Sequence, residues 1–170
     1  EAAMKYFIMG SFATGFLLFG ITLIYGATSS FNIQEIANYT QQNKDALPAF
    51  FKVGVLMILI GLSFKIAAAP FHFWTPDVYE GSPTTVAALF STGGKTAAFS
   101  AILATLFALF NGPDENLFTP YLAVISVLSM FYGSIVAIAQ TNIKRMLAYS
   151  SISHAGYLAI GLAAGNHDAV

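Results

Sequence analysis

No cysteine occurs among the 170 residues, which excludes disulfides, thiolate metal sites and cysteine-ligated iron–sulfur clusters. Charge is also scarce. Asp, Glu, Lys and Arg make up only 9% of the chain, against about a quarter in soluble domains. The formal net charge is −1 and there is no basic block, which argues against nucleic acid as a partner. The sequence also has no glycine-rich phosphate loop, no histidines at metal-ligand spacing and no nucleophile beside a base. No enzyme active site is legible, so any redox chemistry is expected elsewhere. The sequence opens at Glu1 without a methionine or a signal peptide and stops just after an apolar stretch. This reads as an internal piece of a longer polytopic protein, with residues 1–170 belonging to a single membrane domain.

Apolar length is what the chain has. Hydrophobic residues make up 56% and the mean hydropathy is +0.69, so several stretches reach the ~20 residues needed to cross a bilayer as a helix. The expected fold is all-α, a polytopic transmembrane helix bundle with the lipid bilayer as its surroundings. Five spans are drawn, at about 6–26, 53–74, 85–110, 121–139 and 146–164. Transmembrane strands would be about half as long and would alternate polar with apolar. Gly10, Gly15 and Gly20, spaced by five, are read as small residues for close helix packing. The polar loop after the first span, with Asn32, Gln34 and Glu35, is expected to hold a short interfacial helix. Five crossings place Lys5, the Asp77–Pro83 loop and the Lys144-Arg145 pair on one side, which the positive-inside rule makes cytoplasmic. Trp74, Tyr79 and Tyr149 read as interface anchors, and Asp77 and Glu80 as residues that cap and orient the link into the third span.

Two lysines interrupt this apolar pattern. Lys65 and Lys95 fall near the middle of adjacent spans, roughly 15–18 Å from their helix starts at 1.5 Å per residue. A lysine at that depth costs about 2.5–3.5 kcal/mol on insertion scales, so both are expected to face protein or water. An ammonium that can lose its proton when buried is suited to a proton pathway. Pro70, in Ala67-Ala68-Ala69-Pro70, lacks an N–H and is expected to break the helix one turn beyond Lys65, freeing carbonyls beside the charge. Ser91, Thr92, Gly93 and Gly94 leave room for water and offer Lys95 hydroxyl partners. His72 would share a face with Lys65 on a continuous helix, and both it and His154 are candidate relay groups. The rival for these two histidines is haem ligation in a membrane anchor, which gives no reason for the lysines. No acidic residue lies within a span, so any carboxylate partner has to come from outside.

Residues 61–86, GLSFKIAAAPFHFWTPDVYEGSPTTV, resemble the central motif of the antiporter-like membrane subunits of respiratory complex I, NADH–quinone oxidoreductase. TPDVYEGSPT is similar to the subunit N branch rather than to L or M. KYFIMGSFATGFLLFG at Lys5–Gly20 and QTNIKRMLAYSSISHAGY at Gln140–Tyr157 extend the likeness over most of the chain. The resemblance implies a fourteen-helix antiporter-like fold of two inverted repeats, with this piece as helices six to ten. Lys65 then corresponds to the lysine of the broken seventh helix and Lys95 to that of the eighth. The paired glutamate of helix five and the charged residue of helix twelve lie outside residues 1–170. What the family implies is proton translocation coupled to NADH:quinone electron transfer, in a multi-pass subunit of a bacterial inner membrane beside other membrane subunits. No cofactor is expected in this chain, since flavin, iron–sulfur clusters and quinone belong to partner subunits. A cation/proton antiporter of the Mrp type or a membrane-bound hydrogenase subunit is the alternative.

Overall fold

The computed structural model describes residues 1–43, 46–110 and 118–164, with only the backbone at 107, 108 and 110. Among these residues every regular element is helical: α1 (Ala2–Thr28), α2 (Ile33–Gln42), α3 (Ala49–Ile66), α4 (Thr75–Gly81), α5 (Thr84–Leu89), α6 (Lys95–Phe110), α7 (Thr119–Ile138) and α8 (Ile143–Ala164). A π-helical turn, Phe90–Gly94, joins α5 to α6. Prolines open several of these helices, because a ring-fixed φ suits the first turn, where an N–H has no partner to lose. Pro48 and Pro83 stand just before α3 and α5, and Pro76 and Pro120 lie in the first turns of α4 and α7.

Two antiparallel helix pairs make the frame, and in both the backbones meet at glycine. A Cβ placed on Gly20 of α1 would lie 2.7 Å from the Gly54 carbonyl oxygen of α3, and one on Gly133 of α7 would lie 2.7 Å from the Ser153 nitrogen of α8. Either contact is closed to a larger residue. The five-residue glycine spacing of α1 is not the packing device expected of it. A Cβ on Gly15 would touch nothing within 4 Å and one on Gly10 only the Phe64 ring, whereas Gly54 and Gly61 of α3 make the close approaches from the other side.

Among the described residues, four helices are long and apolar enough to cross a membrane: Ala2–Thr28, Ala49–Ile66, Thr84–Leu106 and Thr119–Ile138. They correspond to the first four expected spans. α8 covers the range expected for the fifth span and its 22 residues reach about 33 Å at 1.5 Å each, but it is not one of these four. Its apolarity is diluted by Ser150, Ser151, Ser153 and His154, and it runs antiparallel along α7. The interfacial helix expected in the first loop is α2. Its buried Thr40 hydroxyl donates to the Leu109 carbonyl at 2.5 Å, pinning α2 to the end of α6.

The second span was expected over 53–74, but its helix ends at Ile66. Ala67 takes a left-handed conformation with φ 58°. Its N–H bonds the Phe64 carbonyl at 3.1 Å, and that of Ala68 bonds Ser63 at 3.0 Å, the paired bonds of a Schellman cap. The chain then turns through Ala69-Pro70, a cis bond, before resuming as α4. The Ala69 N–H is taken up by the Ser129 hydroxyl of α7 at 2.8 Å, and the Trp74 indole donates to the Phe64 carbonyl at 3.1 Å. Trp74, Tyr79 and Tyr149 are therefore core residues and not interface anchors, with 2%, 5% and 9% of their surface exposed.

Candidate functional site

Lys95 opens α6 directly after the π-helical turn and is 7% exposed. Its ammonium donates to the Ser151 hydroxyl at 2.6 Å and to the Ser151 carbonyl at 2.8 Å. Both acceptors are uncharged. They replace only part of the water that the ammonium loses on burial, which leaves an unusually exposed balance for a charge inside protein. The side chain borders a cavity of about 400 Å³ between α6 and α8, lined also by Ser91, Thr96, Ser100, Ser151 and His154. None of its described lining residues is acidic. An ammonium has three N–H groups; two are spent on Ser151, so a third remains for the cavity.

A second cavity of about 510 Å³ lies between α8 and the α4–α5 segment, with Tyr79, Thr84, Lys144 and Ser150 in its wall. Ser91, Ser151 and His154 line both cavities. His154 Nδ1 lies 2.7 Å from the Ser150 carbonyl oxygen. Because a carbonyl only accepts, Nδ1 carries the proton in this contact. In a neutral imidazole that tautomer leaves the lone pair on Nε2.

Of the four residues singled out from sequence, Lys95 and His154 share this site, and Lys65 and His72 do not line it. Lys65 is exposed on the last turn of α3 and pairs with no described residue. His72 follows the break instead of continuing the Lys65 face. It is 3% exposed, its ring centroid is 4.5 Å from that of Tyr132, and its Nδ1 has no partner among the described residues. Neither of the two cavities described above is lined by both histidines. The Ser91 and Thr92 hydroxyls, expected to serve Lys95, both bond the Ala88 carbonyl at 2.9 Å. His167 lies outside the described residues.

At the Lys144 end, charges pair in the ordinary way. Asp77 of α4 bonds Lys5 of α1 and accepts from Arg145 of α8 at 2.8 Å. Arg145 also donates to Glu80 at 2.8 Å, Asn142 to Glu80 at 2.7 Å, and Lys144 to the Ser82 carbonyl at 3.1 Å. The hydrogen bond from Lys5, then that from Arg145, hold the Asp77 carboxyl below the usual range against the opposing effect of burial. Glu80 and then Asp77 push Arg145 upward. These acids, read as caps for the link to the third span, tie three helices together. Sequence reasoning took the serines near His154 as candidates for leading protons but did not pair Ser151 with Lys95, and it missed Ser129 and the buried role of Tyr79. The run Ser150-Ser151-Ile152-Ser153 was the available signal, but it does not say which hydroxyl meets Lys95.

Comparison with known proteins places the arrangement. The family model described as NADH:quinone oxidoreductase/Mrp antiporter, TM matches residues 1–170. NADH-quinone oxidoreductase subunit N 1 of Chloroherpeton thalassium is 49% identical over 168 residues, covering 97% of this chain and 34% of that protein. The chain thus spans about a third of the length of the curated relatives it matches. Respiratory complex I from Thermus thermophilus contains a chain 42% identical, with a TM-score of 0.78, over 98% of this chain and 34% of that one. The Mrp complex from Dietzia sp. DQ12-45-1b has one 26% identical, with a TM-score of 0.85, over 95% of this chain and 29% of that one. With a helical frame whose long apolar helices suit a multi-pass membrane protein, the chain belongs to the NADH:quinone oxidoreductase/Mrp antiporter transmembrane family.

Proposed function

We propose that this segment is the core of a proton-translocating, antiporter-like subunit of the N type in NADH–quinone oxidoreductase, in a bacterial inner membrane. The single observation that carries the reading is Lys95, a buried ammonium held, among the described residues, only by neutral oxygens at the edge of a cavity. A structural cation would be given a carboxylate, as Lys5 and Arg145 are. One that has to release and regain a proton is better served by neutral acceptors, because neither protonation state is then strongly trapped. His154, bordering both cavities with a free Nε2, stands as a proton acceptor between the Lys144 end and Lys95. Lys65 exchanges protons with Lys95 through water and takes its own partner from outside this segment. His72 supports that branch from beyond the helix break. Electron transfer in partner subunits supplies the energy, and the flavin, iron–sulfur clusters and quinone bind there.

The likeness to the Mrp complex supports a cation/proton antiporter as the second reading. The higher identity to the complex I chain, 42% against 26%, favours the first. The test is Lys95→Ala in the intact parent complex, with proton uptake followed in sealed vesicles. Proton flux is expected to fall by about a hundredfold, the low end of what a proton-transfer group contributes. Lys95→Arg is expected not to restore it, because a guanidinium stays charged. Wild-type flux in the alanine variant sinks the reading. Sodium-dependent flux in the native complex points to the antiporter instead.

A further inference from the structure

Ser151 leaves one proton unaccounted for. Its hydroxyl oxygen accepts from Lys95 at 2.6 Å, so its own O–H needs an acceptor in another direction. The side chain it faces there is Tyr79 of α4, whose buried hydroxyl interacts with the Ser151 hydroxyl without reaching full hydrogen-bond geometry with any described residue. A buried hydroxyl without a full hydrogen bond is costly to keep, and phenylalanine would fill the same space without that cost. Tyr79 also stands in the wall of the cavity at the Lys144 end, together with Ser151. Tyr79 therefore borders that cavity beside the serine that holds Lys95.

We propose that Ser151 and Tyr79 form a two-hydroxyl link that carries protons between Lys95 and the cavity at the Lys144 end. This inference rests on the reading of Lys95 as a proton carrier. In the conformation observed, the Lys95–Ser151 hydrogen bond is made, while the Ser151 and Tyr79 hydroxyls interact but are not aligned for a full hydrogen bond. A small turn of the Tyr79 ring, aligning its oxygen with the Ser151 O–H and its own O–H with cavity water, completes the link. One proton then crosses in balance: the Lys95 N–H bond breaks as Ser151 Oγ gains that proton. Ser151 passes its original proton to Tyr79 Oη, and Tyr79 passes its own to a water molecule. Both hydroxyls end neutral, Lys95 ends as the amine, and the reverse sequence reloads it.

The experiment compares Tyr79→Phe, Ser151→Ala, Ser151→Thr and Lys95→Ala in the intact parent complex. The readouts are proton flux in sealed vesicles, the solvent deuterium isotope effect on that flux, and thermal stability in detergent. Tyr79→Phe is expected to lower flux at least tenfold while leaving the melting temperature unchanged or higher. Ser151→Ala is expected to lower flux similarly, and Ser151→Thr, which keeps the hydroxyl, to restore most of it along with the wild-type isotope effect. Wild-type flux in Tyr79→Phe, or a threonine variant as impaired as the alanine one, overturns the link. If Lys95→Ala abolishes flux while Tyr79→Phe leaves it intact, the carrier role of Lys95 stands and only the link falls. If Lys95→Ala leaves flux intact, the underlying reading falls first.

Discussion

Two helices in this segment are interrupted beside a lysine, and the interruptions are built in opposite ways. The break after α3 is fully held: its freed backbone groups bond Ser129 and Trp74, and its continuation α4 is tied down by Asp77 and Glu80. The π-helical turn before α6 is lightly held. Neither α5 nor the turn buries a residue; only partly buried side chains, Ala87 and Phe90, pack against the aromatic cluster, Phe90 with ring centroids 5.1 Å from Tyr6 and 6.2 Å from Trp74. The lysines are reversed with respect to this rigidity. Lys65, beside the rigid break, is exposed and unpaired among the described residues, while Lys95, beside the loose turn, is buried and held by Ser151. The contrast teaches that an interruption matters less for the ammonium it exposes than for which neighbouring helix can reach it. α8 reaches Lys95, and no described element reaches Lys65.

The largest effect should come from attacking the less satisfied lysine. If Lys65 takes its partner from outside this segment, Lys65→Ala in the parent complex lowers coupled proton flux by about a hundredfold, on the scale of a lost proton-transfer group. Assembly stays intact, because no described contact is removed. Flux and subunit content measured on the same vesicles check this. Normal flux, or loss of the complex from the membrane, would make Lys65 dispensable or structural and end its pairing with Lys95.

A smaller effect separates the two interruptions by stability. Ser129→Ala removes the acceptor of a buried N–H, and an unsatisfied buried group costs about 1–3 kcal/mol. Ser91→Ala in the π-helical turn removes only a bond to its own helix and should stay within about 0.5 kcal/mol. Thermal or denaturant unfolding of the detergent-solubilised parent ranks the pair. Equal destabilisation by both would show that the turn before Lys95 is held as tightly as the break.

The sequence shows one interruption and conceals the other, for reasons visible at the residue level. Pro70 announces a break because it removes a donor, although the helix actually stops at Ala67, an alanine in a conformation that sequence assigns to glycine. The π-helical turn contains no proline, and Ser91-Thr92-Gly93-Gly94 reads equally well as ordinary helix with room for water. Span positions were legible because apolar length is a local property. The partner of Lys95 was not, because Ser151 stands 56 residues away and its neighbours Ser150 and Ser153 look equivalent until α8 is oriented against α6. Aromatics near charged loops read as interface anchors by the same limitation. Trp74 and Tyr79 turn inward because the break folds α4 back onto α8, a tertiary event that no local pattern encodes.

The smallest expected effect tests how the rigid interruption is tied down. Asp77 is 36% exposed and paired with Lys5 and Arg145, so the pairings together should contribute at most about 1 kcal/mol. Its carboxyl titrates lower when folded than when unfolded, because both cations favour the charged form. Such a group stabilises fully above the unfolded value of about 3.9 and loses that contribution as pH falls through the lower folded value. Asp77→Asn should therefore cost up to about 1 kcal/mol at pH 7, little differently at pH 5.5. The wild-type advantage should disappear only below about pH 4, and high salt should shrink it at neutral pH. A wild-type advantage that already fades between pH 7 and 5.5 would mean that a different group titrates in the tether. A cost well above 1 kcal/mol would mean that α4 is held by charge rather than by the buried contacts of Trp74, Val78 and Tyr79.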